Sequence, residues 1–125
     1  MSNFDDRRSE RRLTYHWFVC FAEESDEEHY QGEMDDLSSK GAAFTCHVDE
    51  HCPYCGEKLT INFSVPYAID KEHFDMESFT RTGTVCRVDE INNLVRRVAM
   101  QFATPLPFKP GEKIENFPHV PIKVQ

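Results

Sequence analysis

Between Lys58 and Val65 the chain alternates without exception, with Leu59, Ile61, Phe63 and Val65 on one side and Lys58, Thr60, Asn62 and Ser64 on the other. A side-chain period of two puts all four apolar groups on one face of an extended strand, and that face has to be covered while the other meets water. In a helix the same residues would be spread around the whole cylinder, so the pattern excludes one here. A strand of this kind needs partners at its edges, and the rest of the chain supplies them. Leu13 to Ala22 sets Tyr15, Trp17, Val19 and Phe21 against His16, Phe18, Cys20 and Ala22. Both sets are largely apolar, which predicts a strand covered on both faces near its middle. Tyr30 to Asp36 reads as a more polar strand. In Ala42 to Val48, Ala42, Phe44 and Cys46 alternate with Ala43, Thr45 and His47. Arg81 to Asp89 and Leu94 to Ala103 alternate again around the polar turn Glu90-Ile91-Asn92-Asn93. Pro66 is expected to end the Lys58 strand, and Asp70 to Phe79, acidic at its start, to form one or two helical turns.

The prediction is an all-β chain of six antiparallel strands with short connections, which removes its sheet edges by closing into a small barrel. With 125 residues there is material for one core. The expected division is an arm over 1–12, a barrel over 13–104 and a tail over 105–125. Pro105, Pro107, Pro110, Pro118 and Pro121 favour an extended, surface-hugging course for that tail. Glu23-Glu24-Ser25-Asp26-Glu27-Glu28 is read as a solvated hairpin loop. No apolar run approaches the length of a membrane span, and the first twelve residues contain no apolar stretch of signal-peptide type, so a cytoplasmic protein is expected. The formal net charge of -8 speaks against direct binding to nucleic acid.

Against that acidic background, Arg7-Arg8-Ser9-Glu10-Arg11-Arg12 places four guanidiniums in six residues. Arginine offers a planar fork of donors and a face that stacks, which suits phosphates and guanine edges. Alone, the cluster is most simply a solvated tail. A second segment, Asp36-Leu37-Ser38-Ser39-Lys40-Gly41, reads as a tight turn stabilised by its own side chains, with Gly41 expected to supply a positive φ.

Taken together the two segments resemble the signature of the PilZ domain, a bacterial receptor module for cyclic di-GMP. The family carries an RxxxR motif ahead of its first barrel strand and a D/NxSxxG motif on the barrel surface. Arg8 and Arg12 fit the first motif, with Arg7 in the commonly doubled position, and Asp36, Ser38 and Gly41 fit the second. The later segments LTINFSVP, GTVCRVDE and VAMQF also look like that domain's strands, so the resemblance spans roughly Asp5 to Ala103. It implies a six-stranded PilZ-type barrel and a receptor that couples cyclic di-GMP binding to altered contacts with another protein, rather than an enzyme. Arg8 and Arg12 would take guanine edges and phosphates, with Arg7 in support and Arg11 facing solvent or stacking. Asp36 would accept from guanine N1–H and N2–H, and Ser38 would add a hydroxyl contact. An arm of like charges with little apolar surface is expected to be mobile until the anion orders it. The resemblance is also compatible with a PilZ-like interaction adaptor that does not bind nucleotide.

Five cysteines, two of them in Cys52-Pro53-Tyr54-Cys55-Gly56, read as thiols or metal ligands rather than as a disulfide framework. A zinc module would draw on Cys46, His51, Cys52 and Cys55, and a redox module would centre on Cys52 and Cys55. The preferred reading is a turn whose thiols stay reduced. Cys20 and Cys86, inside strand patterns, are expected in the core.

Overall fold

The computed structural model describes residues 10–23, 28–68, 70 and 72–111. Most of the predicted acidic loop and the tail beyond residue 111, with Pro118 and Pro121, lie outside the described residues. The elements are β1 (Leu13–Thr14), β2 (Phe18–Glu23), β3 (Tyr30–Leu37), β4 (Gly41–His47), β5 (Lys58–Ala68), β6 (Phe74–Glu90) and β7 (Val95–Phe102). Hydrogen-bonded neighbours run β1-β3-β2-β5-β6-β7-β4, and β3 also pairs with β4. That last pairing closes six antiparallel strands into a barrel, with β1 as one extra strand on β3.

The alternation in β5 is honoured: Leu59, Ile61, Phe63 and Val65 are all buried. They meet Val19, Phe21, Phe44, Val85, Val98 and Met100 in one core. Tyr15 is 1% exposed, and its hydroxyl donates to the Ser64 carbonyl at 2.8 Å, so the phenol is satisfied inside the wall.

Five local expectations are corrected. The first predicted strand is two, because β3 carries a bulge between Met34 and Asp36 and its partner has to bend with it. Tyr15 to Trp17 makes that bend, with Tyr15 N–H donating to the Asp35 carbonyl and Met34 N–H to that of Trp17. Near its middle the same stretch is covered on one side only: Val19 and Phe21 are buried while Phe18 is 65% exposed and Cys20 is exposed, and the second face is covered only at Ala22. Cys86 is exposed as well, at a second bulge between Val85 and Arg87, so neither cysteine belongs to the core.

Pro66 does not end β5. Beyond Phe63 the pairing with β2 stops and β6 continues alone to Ala68, and a strand edge of this kind tolerates a missing N–H. Asp70 to Phe79 is not helical: Asp70 Oδ1 accepts from the N–H groups of Glu72 and His73, a turn that starts β6. A carboxylate two or three residues ahead of its donors serves an Asx turn as well as a helix cap, and the extended β5 decides the matter by pairing with Phe74 to Phe79.

Candidate functional site

β1 is short, but its register determines the site. Leu13 lies opposite Leu37 and Thr14 opposite Asp36, so Arg12, immediately before β1, is brought to the end of β3. Its Nη1 stands 3.7 Å from Asp36 Oδ1. The other carboxylate oxygen, Oδ2, accepts from Arg97 Nη2 at 2.8 Å, and Arg97 Nε donates to Asp35. Burial alone would lower the Arg97 pKa, but the bond to Asp35 and the charges of Asp36, Asp35 and Asp89 outweigh it and hold the pKa above the usual arginine value.

The turn after Asp36 is built from its own side chains. Ser38 N–H donates to the Gly41 carbonyl at 2.9 Å, and Ser38 Oγ accepts from Lys40 N–H at 3.2 Å. Gly41 does not take the expected positive φ, which among the described residues belongs to Gly56 alone. Its smallness serves a different end, because a Cβ there would collide with the Met100 carbonyl oxygen where β4 starts beside β7.

Arg12, Asp36, Ser38 and Gly41 line one cavity of about 430 Å³, together with Lys40, Arg87 and Arg97. Four cationic side chains, one carboxylate and a hydroxyl on one surface suit a ligand that carries both anionic groups and hydrogen-bond donors. A groove of about 530 Å³ on another part of the barrel, lined by Trp17, Phe18, Gln31 and Cys46 among others, contains none of the motif residues.

Residues 10–12 of the arm are held to the barrel. Glu10 Oε2 accepts from Ser39 N–H at 2.8 Å, and Glu10 Oε1 accepts from Ser39 Oγ at 2.5 Å. Behind this clasp the chain returns from β7: Leu106 N–H donates to the Ser39 carbonyl at 2.7 Å, and Leu106 is buried. A Cβ on Gly111 would lie 2.8 Å from the carbonyl carbon of Arg11 and 2.9 Å from that of Arg12, so only glycine allows this crossing. Arg7 and Arg8 lie outside the described residues, as does the rest of the arm before residue 10.

Sequence reasoning missed Glu10, Asp35, Arg87 and Arg97. Within RSERR, Glu10 is a single acid among bases with nothing to mark a role, and Arg97 is one of two adjacent arginines on a strand. The β4–β7 register, which sets Arg97 opposite Thr45, carries it to the motif, and a pairing so distant in sequence leaves no local signal.

The four side chains considered for zinc are divided. Cys46 and Cys52 bring their sulfurs to 3.7 Å. Cys55 directs its thiol to the Cys86 carbonyl at 3.6 Å, and the His51 ring stacks on Tyr30 with centroids 4.1 Å apart. Among the described residues no group of three or more His, Cys, Asp or Glu is arranged to hold a metal ion. Burial and the neighbouring Cys52 push the Cys46 thiol up to about 12. Among the described residues no helix is long and apolar enough to cross a membrane.

A closed six-stranded antiparallel barrel with a charged external cavity, reached by an arginine-bearing arm, defines a class of small barrel modules. The PilZ domain profile matches residues 5–117, and the chain belongs to the PilZ domain family. Two solved structures share the fold at 17% identity. The Bacillus subtilis inhibitor of motility, MotI/DgrA, aligns with a TM-score of 0.62 over 90% of this chain and 49% of its own. The K. pneumonia MrkH–c-di-GMP complex aligns with a TM-score of 0.52 over 78% of this chain and 44% of its own. The chain thus spans about half the length of the structures it matches. A search of curated proteins found no match.

Proposed function

We propose that this chain is a cyclic di-GMP receptor, a binding module rather than an enzyme, which acts in the cytoplasm by changing its contacts with another protein when the nucleotide binds. The observation that carries this reading is the meeting of two motifs distant in sequence: Arg12 stands 3.7 Å from Asp36, and both line one cavity with Ser38 and Gly41. Family membership supports the choice of ligand, as does the structural likeness to MrkH in complex with c-di-GMP.

The geometry suggests a division of labour. Arg97 engages Oδ2 of Asp36 and leaves Oδ1 with the longer Arg12 contact. That oxygen is the one offered to the N1–H and N2–H of a guanine, while Arg12 and Arg8 turn their forks to the O6/N7 edge and the phosphates, with Arg7 beside them. Ser38 adds its hydroxyl, and Gly41 lets β4 start close enough to β7 for the cavity floor to form. Binding then draws the arginine segment inward over a base already fastened by Glu10, which changes the surface offered to a partner.

Calorimetric titration with cyclic di-GMP tests the reading. The parent should show saturable binding, Arg8→Ala and Arg12→Ala should each lose about 10- to 100-fold in affinity, and Arg11→Ala should lose much less. A parent without saturable heat refutes the function; a parent that binds while Arg8→Ala binds equally well refutes the residue assignment.

A further inference from the structure

The CPYCG segment is not absorbed by the receptor reading, and its geometry is informative. Cys52 meets not its motif neighbour's carbonyl-bound thiol but Cys46 on β4, with the two sulfurs 3.7 Å apart, while the Cys55 thiol is directed to the Cys86 carbonyl. We propose that Cys46 and Cys52 form a dithiol that hydrogen peroxide closes to an intramolecular disulfide, a modification site on the barrel wall.

A disulfide needs its sulfurs about 2.05 Å apart, so closure requires the two side chains to approach further. Their settings allow it. Cys46 is fixed within β4, where it lies opposite Arg96 of β7. Cys52 is outside any strand, in the turn whose Cys52 N–H donates to the Asp49 carbonyl, and is not held by a strand ladder. Exposure divides the roles. Cys46 is buried, whereas Cys52 is partly open and within reach of a small oxidant. Arg96 Nη1 lies 4.0 Å from Cys52 Sγ, so the sulfur open to the oxidant stands beside a guanidinium. Cys55 is engaged with the Cys86 carbonyl on the other side of the turn.

The chemistry balances in two steps. The Cys52 thiolate attacks one peroxide oxygen, the O–O bond breaks, and sulfenic acid and hydroxide result. The Cys46 sulfur then displaces hydroxide from the Cys52 sulfur, and the S–S bond forms. The released thiol proton and one from solvent convert the two hydroxides to water. Two thiols are oxidised by two electrons, and one peroxide is reduced to two waters.

The test treats the full chain with equimolar hydrogen peroxide, quenches in acid, counts thiols after unfolding and maps peptides by mass. The parent should lose two of its five thiols, form no links between chains and yield one linked peptide pair joining Cys46 to Cys52, lighter by two hydrogens. Cys55→Ser should behave like the parent. In Cys46→Ser, dimedone should trap a sulfenic acid at Cys52 and no intramolecular link should form. A Cys52–Cys55 link, links between chains, or a parent in which Cys46 stays free while another thiol is consumed overturns the proposal. The parent map decides alone if a variant does not fold.

Discussion

Replacing Glu10 by alanine isolates the clasp between arm and barrel. In the parent, the carboxylate accepts from both donors of Ser39, a residue only 8% exposed. A hydrogen bond to a charged group contributes about 1.5–3 kcal/mol when buried, and Glu10 is only half-buried, so the pair together is discounted to about 1–2 kcal/mol. The loss should shift the balance between fastened and released arm by about 5- to 30-fold. Hydrogen exchange reads this directly, because the local opening equilibrium sets the exchange rate of a protected amide. The Ser39 amide should therefore exchange faster by that factor in Glu10→Ala. Leu106, bonded to the opposite side of Ser39, should change less. Glu10→Gln keeps the length and one acceptor oxygen and should fall between the two. Nucleotide affinity should follow the fraction of chains with the arm fastened, and so fall by no more than the same factor. If Ser39 exchanges in Glu10→Ala at the parental rate, the clasp does not hold the arm and the reasoning fails.

Two further substitutions probe the wall. Tyr15→Phe removes the bond to the Ser64 carbonyl and should cost about 1–2 kcal/mol in urea unfolding at neutral pH; an unchanged midpoint would show that the hydroxyl contributes nothing there. Burial raises the Tyr15 pKa above its ordinary 10.0, so the unfolded chain gives up this proton first. The parent's stability should therefore decline as pH rises beyond about 10, and Tyr15→Phe should decline less steeply. The Glu57 pKa is also raised, by burial first, against the Tyr54 N–H that lowers it, and with help from the Glu23 hydrogen bond and charge. The stability this group contributes is complete below the unfolded carboxyl value and lost as pH rises through the folded one. Glu57→Gln should accordingly be more stable than the parent at neutral pH, an advantage that disappears below about pH 4 in chemical denaturation.

What can be read from the sequence follows the range of the forces involved. Alternation is a local signal, and it places the Lys58 strand, the hairpin at Glu90 to Asn93 and the buried faces of β4 and β7 correctly. It misleads wherever a neighbour decides the outcome. Pro66 and Asp70 carry breaker and cap chemistry that the β5–β6 pairing overrides, and Cys20 looks like a core residue until its face of β2 is seen to be open. The turn from Asp36 to Gly41 is legible because its residues are contiguous. Even there the reason for Gly41 is not a local one: the demand is a close approach to Met100, which only the β4–β7 pairing creates. Arg97 and the Cys46–Cys52 contact depend on register and loop course and leave no local trace.

Gly111 carries one more consequence. Its crossing over Arg11 and Arg12 means that the segment leading into the barrel and the segment leaving it touch at the rim of the same cavity. The two segments thus meet at one joint on the barrel's outside, without passing through the core. On the proposed function, a donor dye on the incoming segment and an acceptor on the outgoing one would turn the molecule into an optical gauge of what enters the cavity, with the barrel left untouched.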